Sequence, residues 1–287
     1  MVVVVPAEWR EAVRRAARAG VTMVVGESDT GKTTLVTTIA NSLRARRLGV
    51  AVIDADLGQS EIGPPTTIGL GRVRRRLGRL ADADVVALYF VGVTSPARHL
   101  LRVIVGTRRM LDRARRGQFR RIVIDTSGLI SGPLGRALKQ AKIEVTDPDL
   151  VICLERAGEC GHIVAAYAGA TRPVVMRVPA GSAARPRSQE DRRRHRKRRL
   201  DDYFAPARRI TLSLTRVCVT DSGGAVVVPG PNTSLAEGTL IGLLDTTRAT
   251  LGLGIVRGID AGALHVDTPI SEARVAAVVI GRESYPA

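Results

Sequence analysis

One octapeptide constrains the fold of this chain more than any other feature: the segment Gly26–Thr33 has the form G-x-x-x-x-G-K-[ST]. It follows the apolar run Val21–Val25, which predicts a buried strand, and it precedes a helical pattern over Thr34–Arg46. Glycines at such a junction let backbone N–H groups and the helix N-terminus face a phosphate. We therefore expect Lys32 to reach the β- and γ-phosphates of a nucleotide and the Thr33 hydroxyl to ligate Mg²⁺. The residues expected to bind the nucleotide are Gly26, Glu27, Ser28, Asp29, Thr30, Gly31, Lys32, Thr33 and Thr34.

Apolar runs alternate with helical patterns through residues 1–206, which is typical of a parallel sheet covered by helices on both faces. The segment 56–71 is expected to be a loop, because it contains Pro64 and Pro65. We predict an α/β fold of the P-loop NTPase class. Its strands are expected at Val21–Val25, Val50–Ile53, Val85–Phe90, Ile122–Ile124, Leu150–Leu154 and Val174–Val178. Its helices are expected at residues 8–19, 34–46, 96–116, 135–143, 161–167 and 188–203.

The pattern changes after Pro206 to short β runs that glycine and proline interrupt, which predicts a small all-β domain. The formal charges of residues 207–287 cancel, so the whole net charge of +17 lies in residues 1–206. We therefore predict a P-loop domain over 1–206 and a β-rich C-terminal domain over 207–287. The C-terminal strands are expected at residues 210–215, 217–219, 225–228, 239–243, 252–256, 263–266 and 274–280.

The excess of positive charge points to a polyanionic partner. The 287 residues carry 44 Lys and Arg against 27 Asp and Glu, and much of the excess lies in Arg72–Arg79, Arg102–Arg121 and Arg185–Arg199. A one-sided excess of this kind is typical of proteins that bind nucleic acid. A general preference for arginine over lysine is the alternative explanation. The chain has only eight aromatic residues, too few for a platform on which bases stack.

Composition also excludes other classes of protein. A hydrophobic content of 45% excludes a wholly disordered chain, and no apolar run approaches the roughly 20 residues of a membrane span. The apolar start Met1–Val5 lacks the basic segment and cleavage site of a secretory signal. Three cysteines do not suggest a disulfide framework and suit a reducing compartment. We expect a cytoplasmic protein without a membrane partner, and we leave open whether it forms an oligomer.

Two carboxylates end the second expected strand, in the sequence Asp54-Ala-Asp56-Leu-Gly-Gln59. The carboxyl ends of strands in such sheets face the ligand crevice, and residues two apart on an extended segment point the same way. Two carboxylates in a phosphate site allow one to hold Mg²⁺, directly or through water, while the other accepts a proton. In the alternative interpretation, Asp56 only caps the loop that follows.

Two further segments could face the same crevice. The fourth expected strand ends at Asp125–Gly128, whose polar groups either contact the γ-phosphate or the second substrate, or form only a turn. Residues 185–199 carry nine positive and two negative side chains, with Arg192, Arg196 and Arg199 on one face of a helix. We expect a lid over about 179–204 that either closes on a transferring phosphate or grips RNA. Repulsion between its like charges predicts that it orders with ligand.

Taken in order, these segments resemble the Clp/Grc/Nol family of polynucleotide 5′-hydroxyl kinases, especially its compact archaeal members. The matching signatures are G-x-x-D-x-G-K-T at Gly26–Thr33, D-x-D-x-G-Q at Asp54–Gln59, D-T-S-G at Asp125–Gly128 and an arginine-rich lid that ends in Tyr203-Phe204. The resemblance covers about residues 21–205, and a β-rich C-terminal domain is also similar to that family. One departure is Leu129, which stands where eukaryotic-type relatives have a tryptophan that stacks on a substrate base.

The resemblance implies transfer of the γ-phosphate of ATP or GTP to the 5′-hydroxyl end of RNA or DNA, with Mg²⁺. It implies that Asp56 is the base on the 5′-hydroxyl and that Asp54 and Gln59 organise metal and substrate. The implied catalytic residues are Lys32, Asp56, Arg187, Arg192 and Arg196; the implied substrate-binding residues are Gln59, Asp125, Thr126, Ser127 and Gly128; the implied metal ligands are Thr33 and Asp54.

Two other functions compete with this one. A nucleotide-binding RNA-processing scaffold with little turnover would need the P-loop but would have no use for Asp56 as a base. A partner-switching ATPase of the deviant P-loop group would carry an additional lysine early in the loop, where Glu27 and Ser28 stand. A hydrolase would turn over without a nucleic-acid acceptor, whereas a kinase should need one.

Overall fold

The structure of the protein, a computed structural model, describes residues 5–181, 186–228 and 235–285. Thirteen strands in these ranges are connected into one sheet, and six α-helices accompany them. The strands are β1 (Val21–Val25), β2 (Val50–Ala55), β3 (Thr67–Val73), β4 (Asp84–Phe90), β5 (Arg121–Thr126), β6 (Leu150–Glu155), β7 (Val174–Pro179), β8 (Arg208–Ser213), β9 (Cys218–Thr220), β10 (Thr239–Leu244), β11 (Thr250–Asp260), β12 (Ala263–Thr268) and β13 (Ala277–Ser284). The helices are α1 (Arg10–Ala16), α2 (Lys32–Ala45), α3 (Leu100–Arg116), α4 (Gly132–Thr146), α5 (Gly161–Ala166) and α6 (Gln189–Phe204).

Five parallel strands form the first part of the sheet, in the order β7-β6-β1-β5-β2. Asp125 of β5 lies in register with Val24 of β1 on one side and with Asp54 of β2 on the other. The carboxyl ends of these three strands therefore meet at one edge of the sheet, where ligands of open α/β sheets bind. Within the described ranges, no helix is both long enough and apolar enough to cross a bilayer.

Helices cover both faces of this parallel part, as the alternating pattern predicts. Side chains of α1 and α2 share one apolar core with Val24 and Val52, while α3, α4 and α5 share another with Met23 and Ile53. Successive strand residues thus point to opposite cores, because side chains alternate across a strand. The predicted α/β class with a parallel sheet between two helical layers is confirmed.

The sheet continues beyond β2 with two antiparallel neighbours, β3 and β4. The prediction that residues 56–71 are all loop is wrong at its end, because β3 already begins at Thr67. Ile68 and Leu70 alternate with glycines and are fully buried, which a strand achieves and an exposed loop does not. A Cβ atom on Gly69 would lie 1.9 Å from the carbonyl oxygen of Ile62, so the preceding loop packs directly on this strand.

The C-terminal residues form an antiparallel arrangement around β10 and β11, to which only β9 adds a parallel pairing, with β13. Its β-rich character is as predicted, but the boundary at 206/207 stays a prediction. The strand expected at residues 225–228 is reduced to one bridge between Thr220 and Val226. Val226 and Val228 are largely exposed, and only Val227 between them packs against the apolar core of the C-terminal region.

Candidate active site

The three segments that follow β1, β2 and β5 meet at one edge of the sheet, and the start of α6 lies over them. The P-loop, the loop after β2 and the start of the lid surround a cavity of about 410 Å³, which the predicted substrate-binding residues Asp125, Thr126, Ser127 and Gly128 do not line. Its lining residues are Ser28, Asp29, Gly31, Lys32, Thr33, Thr34, Asp56, Gln59, Pro186, Arg187, Asp191 and Arg192. Ten of these twelve were named from sequence as site residues. The structure thus brings the P-loop, the loop after β2 and the lid to one place.

The P-loop is shaped by its glycines and by its own lysine. Gly31 has a φ of +93° and is the residue from which α2 begins. Lys32 is 7% exposed, and its ammonium group donates a hydrogen bond to the carbonyl oxygen of Glu27, as does the hydroxyl of Thr30. Burial lowers the pKa of Lys32, while Asp125 and Asp56 oppose that shift. The loop is therefore closed on itself around a cation.

Asp54 shapes the loop after β2 from beneath. Its Oδ2 accepts hydrogen bonds from the N–H groups of Glu61 (2.6 Å) and Ile62 (3.0 Å), and its Oδ1 accepts one from Asp56 (3.1 Å). Burial raises the pKa of Asp54 to about 8, and the neighbouring carboxylate of Asp125 adds to the shift. Asp54 is not among the residues that line the cavity.

Asp56 faces the cavity and also caps its own loop. Its Oδ1 accepts hydrogen bonds from the N–H groups of Gly58 and Gln59, both at 3.1 Å. The capping interpretation therefore holds for this oxygen. The second oxygen, Oδ2, accepts no hydrogen bond within the described residues and remains available to a ligand in the cavity. A Cβ atom on Gly58 would lie 2.8 Å from the carbonyl oxygen of Thr94, so a further loop packs against this one.

The segment after β5 holds the P-loop from the other side. The hydroxyl of Thr33 donates to Oδ2 of Asp125 over 2.7 Å, whereas Oδ1 of Asp125 is buried without a partner in the described structure. Burial raises the pKa of Asp125 to about 6, although the Thr33 hydroxyl and Lys32 oppose the shift. A Cβ atom on Gly128 would lie 2.1 Å from Oγ of Ser28, so only glycine allows this close approach. The structure thus pairs Thr33 with Asp125 rather than with Asp54.

Two buried lysines of α4 support this segment, and sequence reasoning missed them. The ammonium group of Lys139 donates to the Thr126 hydroxyl (3.0 Å) and to the Ser127 carbonyl (2.6 Å), and that of Lys142 reaches the Ala55 carbonyl at 3.5 Å. Both side chains are completely buried, which lowers their pKa values, that of Lys142 to about 8. A sequence signal existed: two of only four lysines in an arginine-rich chain stand three residues apart on one helix face.

The lid helix lies against the P-loop through its first turn. Oδ2 of Asp29 accepts hydrogen bonds from the backbone N–H of Arg187 (3.1 Å) and from Nη2 of Arg192 (2.6 Å). Burial opposes the shift, but these two donors hold the pKa of Asp29 below its usual value. Nη1 of Arg187 also donates to Oε1 of Gln59 over 3.4 Å. Two lid arginines therefore contact both loops of the cavity.

The inward face of the lid helix differs from the expected one. Nη2 of Arg199 donates to the carbonyls of Glu61 (2.7 Å) and Gly63 (2.9 Å), and the ring of His195 lies 3.7 Å from the Glu61 carboxylate. Arg196 is half-buried, does not line the cavity and makes no hydrogen bond within the described residues. Its catalytic role stays a prediction. The part of the expected lid at 182–185, including Arg185, lies outside the described residues.

A P-loop with two acidic strand ends and an arginine-bearing helix over one cavity defines the class of this protein: a P-loop phosphotransferase. Comparison with known proteins narrows the class. Residues 26–206 match the family described as the mRNA cleavage and polyadenylation factor CLP1 P-loop, and the chain belongs to this family. The resemblance found in the sequence motifs is confirmed.

The most informative relatives are archaeal. The chain is 31% identical over 299 aligned positions to the polyribonucleotide 5′-hydroxyl-kinase of Pyrococcus furiosus. This alignment covers 87% of this chain and 83% of the relative. It is 34% identical to the enzymes of the same name from Pyrococcus horikoshii and Methanocaldococcus jannaschii. There the match covers 69% and 72% of this chain but only 53% and 56% of the relatives' lengths.

Solved structures show the same fold at low sequence identity. A chain in a structure of Clp1p with Pcf11p superposes with a TM-score of 0.76 at 12% identity, covering 96% of this chain and 78% of the other. A second Clp1p–Pcf11p structure gives a TM-score of 0.73 at 13% identity, covering 92% and 74%. The fold therefore extends through the C-terminal β region.

Proposed function

We propose that this protein is a polynucleotide 5′-hydroxyl kinase that transfers the γ-phosphate of ATP or GTP to the 5′-hydroxyl end of RNA. The observation that carries the proposal is the free Oδ2 of Asp56, which lies in one cavity with Lys32 and two lid arginines. A base, a phosphate-binding lysine and positive charge beside the transferring phosphate are what phosphoryl transfer to a hydroxyl requires. The names of the archaeal relatives favour RNA over DNA as the acceptor.

The donor phosphates would lie along the P-loop, on its backbone N–H groups, Lys32 and the start of α2. The residues present also fit Mg²⁺, because Oδ1 of Asp125 is buried without a partner beside the Thr33 hydroxyl. Oxygen ligands of this kind are those that Mg²⁺ prefers, and the ion supplies charge neutralisation on the β- and γ-phosphates when bound. Asp54, in the neighbouring strand β2, would contribute indirectly, because its hydrogen bonds fix the loop that carries Asp56.

In the reaction, Oδ2 of Asp56 accepts the proton of the 5′-hydroxyl as its oxygen attacks the γ-phosphorus. The bond between that phosphorus and the oxygen of the leaving diphosphate breaks on the opposite side. The guanidinium of Arg192, now bonded to Asp29, and that of Arg187, now bonded to Gln59, would exchange these partners for the transferring phosphate and stabilise its spreading charge. A closed lid also excludes water, which would otherwise hydrolyse the donor.

No feature of the described residues favours the scaffold or the ATPase over this function. We place the reaction in the cytoplasm, because the free thiols of Cys153, Cys160 and Cys218 suit a reducing compartment. The identity of the donor, ATP or GTP, is part of the proposal and is tested by competition between the two.

The test uses γ-labelled ATP, Mg²⁺ and a 5′-hydroxyl RNA oligonucleotide, with the same RNA bearing a 5′-phosphate as a control. Asp56→Asn keeps an oxygen for the loop cap and removes the base, so kcat should fall by about 10²- to 10⁴-fold while nucleotide affinity stays. Asp202→Asn, at an exposed position outside the cavity, should be unchanged.

Label on the 5′-hydroxyl RNA alone, lost with Asp56→Asn, would support the kinase. Release of labelled phosphate without labelled RNA would indicate that the protein is an ATPase and not a kinase. Tight nucleotide binding with neither product would favour the scaffold.

A further inference from the structure

A second cavity, of about 670 Å³, lies between α3 and β4 on one side and the turn that joins β10 to β11 on the other. It exists because the two parts of the sheet separate there. Strands β4 and β11 share a single residue pair, Leu88 with Thr250. Beyond this pair the strands diverge, and the edge of β4 at residues 85–87 lines the opening.

Five arginines surround this opening, and all five are exposed: Arg109, Arg113, Arg116, Arg248 and Arg274. Three come from the C-terminal half of α3, one from the β10–β11 turn and one from the residues before β13. None of the five forms an ion pair with a described residue. We call this surface the arginine cleft. Positive charge from both regions of the molecule thus converges on one groove.

The two acidic residues of the cleft offset only part of the charge of its five arginines, and both also have other partners. The carboxylate of Asp112 bonds to Arg108, one helical turn away, at 2.9 Å. The carboxylate of Asp245 closes its own turn by accepting from the N–H groups of Thr247 (2.8 Å) and Ala249 (3.0 Å). A groove lined by five arginines and two carboxylates keeps an excess of positive charge, which concentrates the field and attracts polyanions.

We propose that the arginine cleft binds the phosphate backbone of the acceptor RNA, downstream of the end that is phosphorylated. This rests on the proposed kinase function, since it assigns a further part of the same substrate. Guanidinium groups bind phosphate oxygens through paired, charge-assisted hydrogen bonds. An acidic protein is the alternative polyanion. RNA is the better candidate, because the proposed kinase binds a polyanionic RNA strand in every catalytic cycle.

The aromatic residue of the cleft indicates that this binding does not read sequence. The ring of Tyr89 is already covered by the guanidinium groups of Arg102 and Arg109, at 5.6 and 5.9 Å from its centre. Two guanidinium groups therefore already occupy positions over this ring where a base would stack. Contacts to phosphate position a strand without carrying sequence information, so affinity should depend on strand length and salt.

The test measures the affinity of the full chain for a long single-stranded 5′-hydroxyl RNA as salt is raised from about 50 to about 200 mM. Arg113→Gln/Arg248→Gln removes one charge from each wall of the cleft. Each lost phosphate contact lowers the salt slope by about 0.7 on a single strand, so this variant should lose about 1.4. Over that salt range the wild type should then lose about sevenfold more affinity than the variant.

Arg115→Gln/Arg216→Gln is the matched control, because both residues are exposed and neither lines the cleft. It should keep the wild-type slope. Arg116→Gln/Arg274→Gln repeats the test with the other arginines of the two walls, in case the first variant does not fold. Thermal unfolding checks each protein.

Equal slopes in all proteins would overturn the proposal and leave the cleft to an acidic protein partner. Equal losses in the cleft and control variants would overturn it too, because they would show attraction to overall charge. Binding is measured without phosphate transfer, so a chain that binds RNA through the cleft but labels none would refute the kinase and not the cleft.

Discussion

The P-loop region and the C-terminal β region use charge in opposite ways. Beneath the cavity, charged side chains are almost completely buried: Lys32, Asp54, Asp125, Lys139 and Lys142. In the described residues after 206, the buried polar side chains are only threonines. Burying a charge is costly unless it is paired and hydrogen-bonded. The chain therefore keeps buried charge where phosphate and metal chemistry would use it, and builds the C-terminal region from apolar packing.

The lid helix α6 joins these two regions. Its first turn contacts Asp29 of the P-loop through Arg192, while Leu200 and Phe204 at its other end are buried in a core with Leu240 and Leu253 of the C-terminal strands. The C-terminal region thus holds the base of the helix that covers the cavity. The sequence indicates no chemical role for this region, only a structural or partner-docking one, and its packing on α6 is a structural role.

A second link runs through the last strand. Oε1 of Glu283 accepts hydrogen bonds from the N–H of Thr94 (2.9 Å) and from its hydroxyl (2.8 Å). Thr94 in turn packs against Gly58, in the loop that carries Asp56. The C-terminal region therefore braces the loop of the proposed base.

The largest difference in kcat is expected between two variants that each lose one positive charge, one in the lid and one in the C-terminal region. Arg192→Gln should lower kcat by about a thousandfold, because a lid guanidinium stabilises charge that develops in the transition state. Arg216→Gln, an exposed C-terminal arginine without an ion pair in the described structure, should leave kcat unchanged. Steady-state kinetics with a 5′-hydroxyl RNA decide the matter. Similar rates for the two variants would show that the lid charge is not catalytic.

An intermediate effect is expected from cutting the brace. Glu283→Ala leaves the N–H of Thr94 without its charged acceptor, which should lower the free energy of unfolding by about 2 kcal/mol. It should also lower kcat/KM for RNA while nucleotide affinity stays. Glu272→Ala, at an exposed position, is the control. Chemical denaturation and kinetics measure both, and a loss of stability without any kinetic change would mean that the brace is only structural.

The smallest effect is expected at the base of the lid. The N–H of Leu253 donates to the hydroxyl oxygen of Tyr203 over 2.9 Å, so Tyr203→Phe should cost about 1 kcal/mol of unfolding free energy. Tyr167→Phe removes a comparable bond from Gln140 within the P-loop region. Only the Tyr203 variant should also lower kcat, since only its hydroxyl anchors the lid. Equal kinetics in the two variants would contradict the link between the regions.

Much of the candidate site was predictable because its parts are local in sequence. The P-loop, the Asp54–Gln59 segment and the Asp125–Gly128 segment each follow an apolar run, and parallel strands bring their carboxyl ends together. The predictions failed where pairing is set by distant residues. Strand β3 forms because β2 offers a partner for Leu70 and β4 offers one for Ile68, whereas local composition indicates a loop.

The sequence by itself determined the class of the fold, the phosphate-binding loop and the resemblance to RNA-end kinases, because these depend on short patterns of residue type. Only the tertiary structure decided that Thr33 pairs with Asp125, that Lys139 holds the segment after β5, and that five arginines meet across a cleft. These contacts join residues far apart along the chain, and their geometry depends on how helices and strands pack. No local pattern of residues carries that information.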